Sequence, residues 1–197
     1  MEQPKVVFNQ KQNPEFFKLV TKRVNDYFQE SKTSRHANFA MKFKSVIILL
    51  LYFIPLSYLI FGDVTSVGMQ YGLWTIAGLG MVGIGLTIMH DANHGAYSSK
   101  KWVNNMMGGT LNLVGAYNVN WKIQHNVFHH TYTNIVGYDE DIRKTIIRFT
   151  PKHPYKAFHK FQAFYISILY MIFPFVWIVS KDFDQYARFS KQNLYER

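Results

Sequence analysis

Three long apolar runs, set apart by stretches in which charged and apolar residues mix, define the pattern of this chain. The first, Ser45 to Phe61, carries no charge and approaches the ~20 residues that cross a bilayer as a helix. Pro55 falls inside it, which membrane helices tolerate. Gly62 to Ser66 follows as a tight turn. The second run, Val67 to Met89, is again uncharged, and at ~1.5 Å per residue it reaches ~35 Å. It carries Gly68, Gly72, Gly78, Gly80, Gly83 and Gly85. So much glycine would weaken a soluble helix, but positions such as Gly72 and Gly80 would let a membrane helix approach its neighbour closely. The two runs are predicted to form a helical hairpin. The third run, Phe161 to Ser180, is broken by Pro174 and bounded by Lys160 and Lys181. Its length allows a span, yet the basic residues at both ends favour an interfacial or re-entrant helix. A shorter apolar stretch, Gly108 to Val119, is expected to dip into the membrane or to pack under its neighbours.

Ahead of the hairpin, Asn13-Pro14-Glu15 reads as a helix start, with Asn13 as N-cap and Pro14 in the first turn. Phe16, Phe17, Leu19, Val20, Val24, Tyr27 and Phe28 then recur at helical spacing, so 14–30 is an amphipathic helix. It either lies on a membrane surface or packs on the domain. The predicted architecture is an all-α integral membrane protein. Residues 1–44 form a basic cytoplasmic N-terminal region, and 45–197 form the membrane domain. In that domain the hairpin leads to a cytoplasmic helical region and then to a further apolar interfacial or membrane helix.

Composition alone would hide this. The mean hydropathy of -0.10 looks soluble although 48% of the residues are hydrophobic. The formal net charge of +10 admits nucleic acid as a partner, but the Lys and Arg residues flank apolar runs instead of forming a stripe. Nine precede the hairpin (Lys5, Lys11, Lys18, Lys22, Arg23, Lys32, Arg35, Lys42 and Lys44) and none lies in its turn. Both hairpin ends are therefore assigned to the cytoplasmic side, and no nucleic-acid partner is expected. Cysteine is absent, so any metal must be held by nitrogen or oxygen. The N-terminal 43 residues lack the apolar core of a secretory signal.

The chemistry concentrates between His90 and Thr133, where five of the chain's eight histidines fall in two short groups. His90-Asp91-Ala92-Asn93-His94 closes the second apolar run, and His125-Asn126-Val127-Phe128-His129-His130 follows after a short interval. Histidines at i and i+4 share one helix face, and neutral imidazole suits iron, copper, zinc or nickel. Three protein ligands would hold one catalytic zinc. Five imidazoles in two groups, with carboxylates nearby, point to two metal ions. One such pair can arise by chance, but two groups at the end of a membrane hairpin argue for function, since ionisable groups there are costly. His36, His153 and His159 show no ligand spacing and are read as ordinary polar residues. Asp91, Asn93 and Asn126 either orient ligating rings or serve as capping or surface groups. Asp139-Glu140-Asp141 is read as a solvated loop in preference to a ligand-orienting group. Trp121, Phe128 and Tyr132 line an acyl tunnel or belong to the core.

At these residues the chain resembles the membrane fatty acid desaturases. His90 to His94 matches that family's first histidine box, His-x3-His. His125 to His130, with Thr131-Tyr132-Thr133-Asn134 after it, matches the second, and Gly137-Tyr138-Asp139-Glu140-Asp141 resembles the bacterial acyl-CoA or front-end branch. The resemblance covers roughly 40–197. It implies a di-iron site with His90, His94, His125, His129 and His130 as metal ligands and no catalytic residue beyond them. Such an enzyme uses O2 and two electrons to remove two hydrogens from an acyl chain carried as acyl-CoA or acyl-lipid. That C–H bond is too strong for acid–base chemistry, so a redox metal is required and zinc is excluded. The membrane lipid delivers the substrate, and the implied location is a bacterial inner membrane with the N-terminus and both boxes cytoplasmic.

The chain departs from the pattern in lacking the family's third box, [His/Gln]-x(2–3)-His-His, after a second hairpin. The expectation is an N-terminal fragment, inactive by itself. No His-Pro-Gly-Gly motif of a fused cytochrome b5 occurs, so a separate electron carrier of ferredoxin or cytochrome b5 type is expected. The boxes leave open a di-iron hydroxylase or ketolase, and a non-catalytic membrane metal-binding protein.

Overall fold

The computed structural model describes residues 6–8, 13–143 and 146–196; of the basic residues that frame the apolar runs, Lys5, Lys11, Lys144 and Arg197 lie outside them. Every regular element among the described residues is helical. Helix α1 spans Pro14–Glu30 with Pro14 at its first position, where a missing N–H costs nothing. Asn13 precedes it in the left-handed region and makes no side-chain cap, so the expected N-cap is not there. No residue of α1 is buried.

Helix α2, Phe39–Phe61, starts six residues before the uncharged run. The Asn38 side chain caps it, accepting the Met41 N–H at 2.9 Å, so the helix extends outward past Lys42 and Lys44. Ser66 caps α3, Val67–Gly83, by accepting the Met69 N–H at 3.4 Å. The helix does not stop at Gly83. A π-helical turn, Ile84–Ile88, carries it into α4, Met89–Asn93, giving a 27-residue helical stretch that ends in the first histidine group.

The hairpin of α2 and α3 is tight where glycine permits. A Cβ on Gly80 would lie 2.5 Å from the Tyr52 backbone nitrogen, whereas one on Gly72 would meet nothing within 4 Å. Close approach is therefore the role of Gly80, and the same expectation for Gly72 does not hold.

Helices α5 (Lys101–Gly108), α6 (Thr110–Leu113) and α7 (Asn118–Lys122) connect the two histidine groups. The short apolar stretch packs under the site and does not dip away from it. Its Leu111, Val114 and Ala116 close a core with Ile84, Ile88, Met89 and Trp121. Burying these side chains directly beneath His90 contributes about 1.5–3 kcal/mol for each large one and fixes the floor of the site.

The last run is longer than its flanking charges suggested. A 3-10 turn at Ala157–Phe161, helix α9 at Gln162–Val176, a π turn at Trp177–Lys181 and helix α10 at Asp182–Lys191 form one 35-residue helical stretch. By length and composition this stretch, α2 and α3–α4 are each able to cross a membrane. Their large apolar residues face outward, among them Leu50, Ile54, Leu79, Leu86, Phe164 and Met171. Contiguous apolar faces of this size suit hydrocarbon, where helices satisfy their own backbone groups.

Candidate metal centre

The two histidine groups meet on the floor formed by Met89 and Trp121. Helix α4 presents His90 and His94 one turn apart, with ring centroids separated by 4.6 Å. The second group rides on a π-helical segment, Ile123–His129, followed by the short helix α8, His130–Tyr132. That winding matters. In an α-helix five residues turn through about 140° beyond a full circle, which would aim His130 away from His125. The wider i→i+5 winding keeps both His129 and His130 on the His125 side. Ring centroids lie 5.2 Å apart for His125 and His129, and 4.7 Å for His125 and His130.

His125 is the centre of the cluster. Its ring lies 5.4 Å from His90 and 5.2 Å from His94, and it stacks on Trp121 at 4.3 Å. His94 and His130 complete the circle at 4.8 Å. Two sets of potential ligand atoms fall within 4.8 Å of one another, His90 with His94 and His125, and His125 with His129 and Asp141. The Nε2 atom of His125 is buried and has no hydrogen-bond partner. A buried polar atom left unpaired is costly, and a metal ion is the partner that an imidazole nitrogen among imidazoles would take. Five imidazoles and a carboxylate form a nitrogen-rich set suited to a first-row redox metal.

The acidic turn supplies the outer layer. After His130 the chain reverses through Asn134 (φ 63°) and Gly137 (φ 91°), a left-handed conformation that glycine adopts without strain. The reversal brings Asp139, fully buried, back to His129. Its Oδ1 lies 3.0 Å from His129 Nδ1 and accepts the Asp141 N–H at 2.9 Å, while Oδ2 accepts the Asn134 N–H at 2.8 Å. Asp141 Oδ2 approaches the same Nδ1 at 3.2 Å. Two carboxylates at one ring nitrogen hold its proton there and leave Nε2 as the ligand atom. Asp91 approaches His90 Nδ1 at 3.2 Å in the same manner.

The electrostatics favour the neutral form of two of the rings, His125 and His94. Burial first, then the neighbouring histidines His130, His94 and His129, push His125 down to about 4 against the opposing pull of Asp141. Burial, His90 and His130 likewise lower His94. Neutral imidazole is the form that binds metal. Burial alone would raise the Asp139 carboxyl, but the hydrogen bonds from Asn134, His129 and Asp141 outweigh it and hold the carboxyl below its ordinary range.

The comparisons with known proteins agree with this geometry. The sequence profile described as fatty acid desaturase matches residues 66–196. The chain belongs to the fatty acid desaturase family. Over 84% of its length it is 35% identical to an sn-1 linoleoyl-lipid 6-desaturase of Arthrospira platensis, covering 45% of that protein. Over 98% it is 32% identical to the protein of the same name from Synechocystis sp., covering 52%. Over 81% it is 35% identical to an acyl-lipid (8-3)-desaturase of Physcomitrium patens, covering 34%. The chain thus spans about half the length, or less, of these curated relatives. No solved structure matches it.

In this desaturase-family chain all five histidines of the two boxes lie in one cluster. His36, His153 and His159 join no metal-capable group among the described residues. Asn126 and Asn93 neither cap nor touch a ring: the Asn126 side chain donates to the Asn93 carbonyl at 3.0 Å and so ties the second box to the first. Trp121 is core and cluster wall together, and Phe128 stacks on buried Phe189 at 5.8 Å. The solvated-loop reading of the acidic group is overturned. Asp139 and Asp141 serve the site, and Glu140 pairs with Arg188 at 2.8 and 2.9 Å. The clue was present in the sequence, since three adjacent acidic residues sit ten to twelve positions after His129, within reach of one chain reversal.

Proposed function

We propose that His90, His94, His125, His129 and His130 hold a pair of iron ions, and that the protein to which these residues belong desaturates acyl chains carried on membrane lipid. The observation that carries this reading is the position of His125. Its ring lies among the other four box histidines, and its buried Nε2, which can serve one ion, lacks any other partner. Bound iron supplies the redox chemistry by which O2, two protons and two electrons from a ferredoxin or cytochrome b5 type carrier become two waters as the acyl chain loses two hydrogens.

The chain's own residues do the rest. Asp139 and Asp141 fix the His129 ring, Asp91 fixes His90, and the Asn126–Asn93 bond sets the distance between the boxes. Trp121 and the apolar core beneath it keep water from that side. The relatives' names favour an acyl-lipid substrate over an acyl-CoA. The exposed apolar faces of α2, α3 and α9 would bring that lipid to the edge of the site. His94 remains exposed, so the cluster is open there to further donors. The nine basic residues before the hairpin, against none in its turn, favour the cytoplasmic side for the N-terminus and both boxes.

The test is iron analysis of the purified protein together with lipid analysis of cells expressing it. Two irons per chain and a new double bond in intact glycerolipid are expected when these residues are expressed together with a third histidine box, and no new double bond is expected from the 197 residues alone. A new hydroxyl group instead would transfer the reading to a hydroxylase, and a folded protein without iron would end it.

A further inference from the structure

A chain of two buried amides runs from the last helix to the second box. Gln185 of α10 is 3% exposed and Gln124, in the π segment, 9%. Gln185 Nε2 donates to Gln124 Oε1 at 2.6 Å, and Gln124 Nε2 donates to Asp141 Oδ1 at 2.6 Å. The other Asp141 oxygen lies 3.2 Å from His129 Nδ1. The direction of this chain is fixed from one end. An ionised carboxylate only accepts, so Gln124 must turn its amino group to Asp141, and its carbonyl then requires a donor. Gln185 is that donor. Its own Oε1 is buried without a partner, so the chain ends there.

We infer that Gln124 and Gln185 are positioning residues that hold Asp141 against His129 and so tie one half of the metal site to the long helix 61 residues on in sequence. Resting on the reading of the cluster as a di-iron site, this assigns a role to α10 that neither box contains. Two leucines would fill the same space without burying polar atoms, one of which goes unpaired. Burial of such groups costs free energy, so their arrangement answers a need other than stability. The Arg188–Glu140 pair, two-pronged at 2.8 and 2.9 Å, clamps the same helix to the residue before Asp141 and keeps Gln185 in register.

The relay has a polarity, and that makes it testable. Gln185→Leu removes the donor to Gln124. Gln185→Glu keeps the shape but offers only acceptors, so Gln124 must reverse and turn its carbonyl toward Asp141. These residues would be tested in a chain that also carries a third histidine box, purified as wild type and as both variants, with iron per chain and the Mössbauer spectrum as readouts. Wild type is expected to hold two irons in distinguishable environments. Gln185→Leu is expected to lose the iron held through His129 and to keep the other. Gln185→Glu is expected to shift the signal of that same iron, which a purely structural role would not do. If both variants hold two irons with the wild-type spectrum, the relay is wrong while the metal reading stands. If wild type holds none, both are wrong. Should Gln185→Leu not fold, the isosteric Gln185→Glu decides alone.

Discussion

The Nδ1 atom of His129 lies 3.0 Å from Oδ1 of Asp139, a carboxylate with no exposure to solvent. Asp139 is held in turn by the N–H groups of Asn134 and Asp141. This arrangement makes the turn after the second box part of the site, because the ring's orientation depends on a residue ten positions away. Outer-layer partners of this type change metal affinity by about 10–100-fold. Asp139→Asn is therefore expected to lower iron affinity by that order, measured by titration of the purified protein. Asp139→Ala, which removes the acceptor of the Asn134 and Asp141 N–H groups, is expected to cost about 0.5–1.5 kcal/mol of stability for each bond as well. Wild-type iron affinity in Asp139→Asn would show that His129 is oriented by something else.

The boxes and the hairpin were legible in the sequence because each has a local signature: an uncharged run of spanning length, and histidines at helical spacing. What was not legible depends on long-range packing. The π winding at Ile123–His129 cannot be seen by a 3.6-residue template, yet it is what brings His130 beside His125. The acidic turn looked solvated because Asp139 is buried only after Gly137 reverses the chain. Flanking lysines gave the third run an interfacial reading, but the helix continues through them. Lys181 lies over the Trp177 ring at 3.5 Å, a cation–π contact that lets a charged residue sit at a helix position with little exposure.

The lowered His125 predicts how stability follows pH. Its folded value of about 4 lies below the ordinary 6.5, so between these limits the unfolded chain binds the extra proton. Stability should therefore be level above pH 6.5 and fall as pH drops from 6.5 toward 4. Asp139, lowered below 3.8, adds a further loss only as pH falls below that value. Thermal unfolding of the metal-free protein in detergent, followed from pH 8 to pH 4, checks this. His125→Gln should flatten the upper part of the profile, and an unchanged profile would contradict the cause given.

The hairpin makes a sharper steric prediction. A Cβ on Gly80 would come within 2.5 Å of Tyr52 N and 2.8 Å of the Leu51 carbonyl carbon, both backbone atoms, whereas Gly72 faces open space. Gly80→Ala is expected to destabilise the protein in detergent by about 1–3 kcal/mol, as overpacking does. Gly72→Ala is expected to leave the melting temperature unchanged or to raise it slightly. Equal effects at the two positions would mean that α2 and α3 do not meet at Gly80.

The last prediction concerns α1. No residue of the helix is buried, and Phe16, Val20, Val24 and Tyr27 share one exposed face. The linker after it is pinned near the first box: Arg35 donates to Asn25 at 2.6 Å, and buried Ala37 packs with Ala92 and Tyr97. The helix therefore leaves the domain at the level where the α3–α4 stretch ends, beside the membrane edge. Between Pro14 and Glu30, three basic residues (Lys18, Lys22 and Arg23) balance three acidic ones (Glu15, Asp26 and Glu30), so apolar burial and not charge should drive attachment. We expect α1 to lie in the bilayer surface. The chain has no cysteine, so single labels are clean. In reconstituted protein a spin label at Val20→Cys should relax with lipid-soluble oxygen and one at Lys22→Cys with a water-soluble nickel chelate, both unchanged by high salt. A Val20 label shielded from both reagents would mean that protein, not lipid, covers this face.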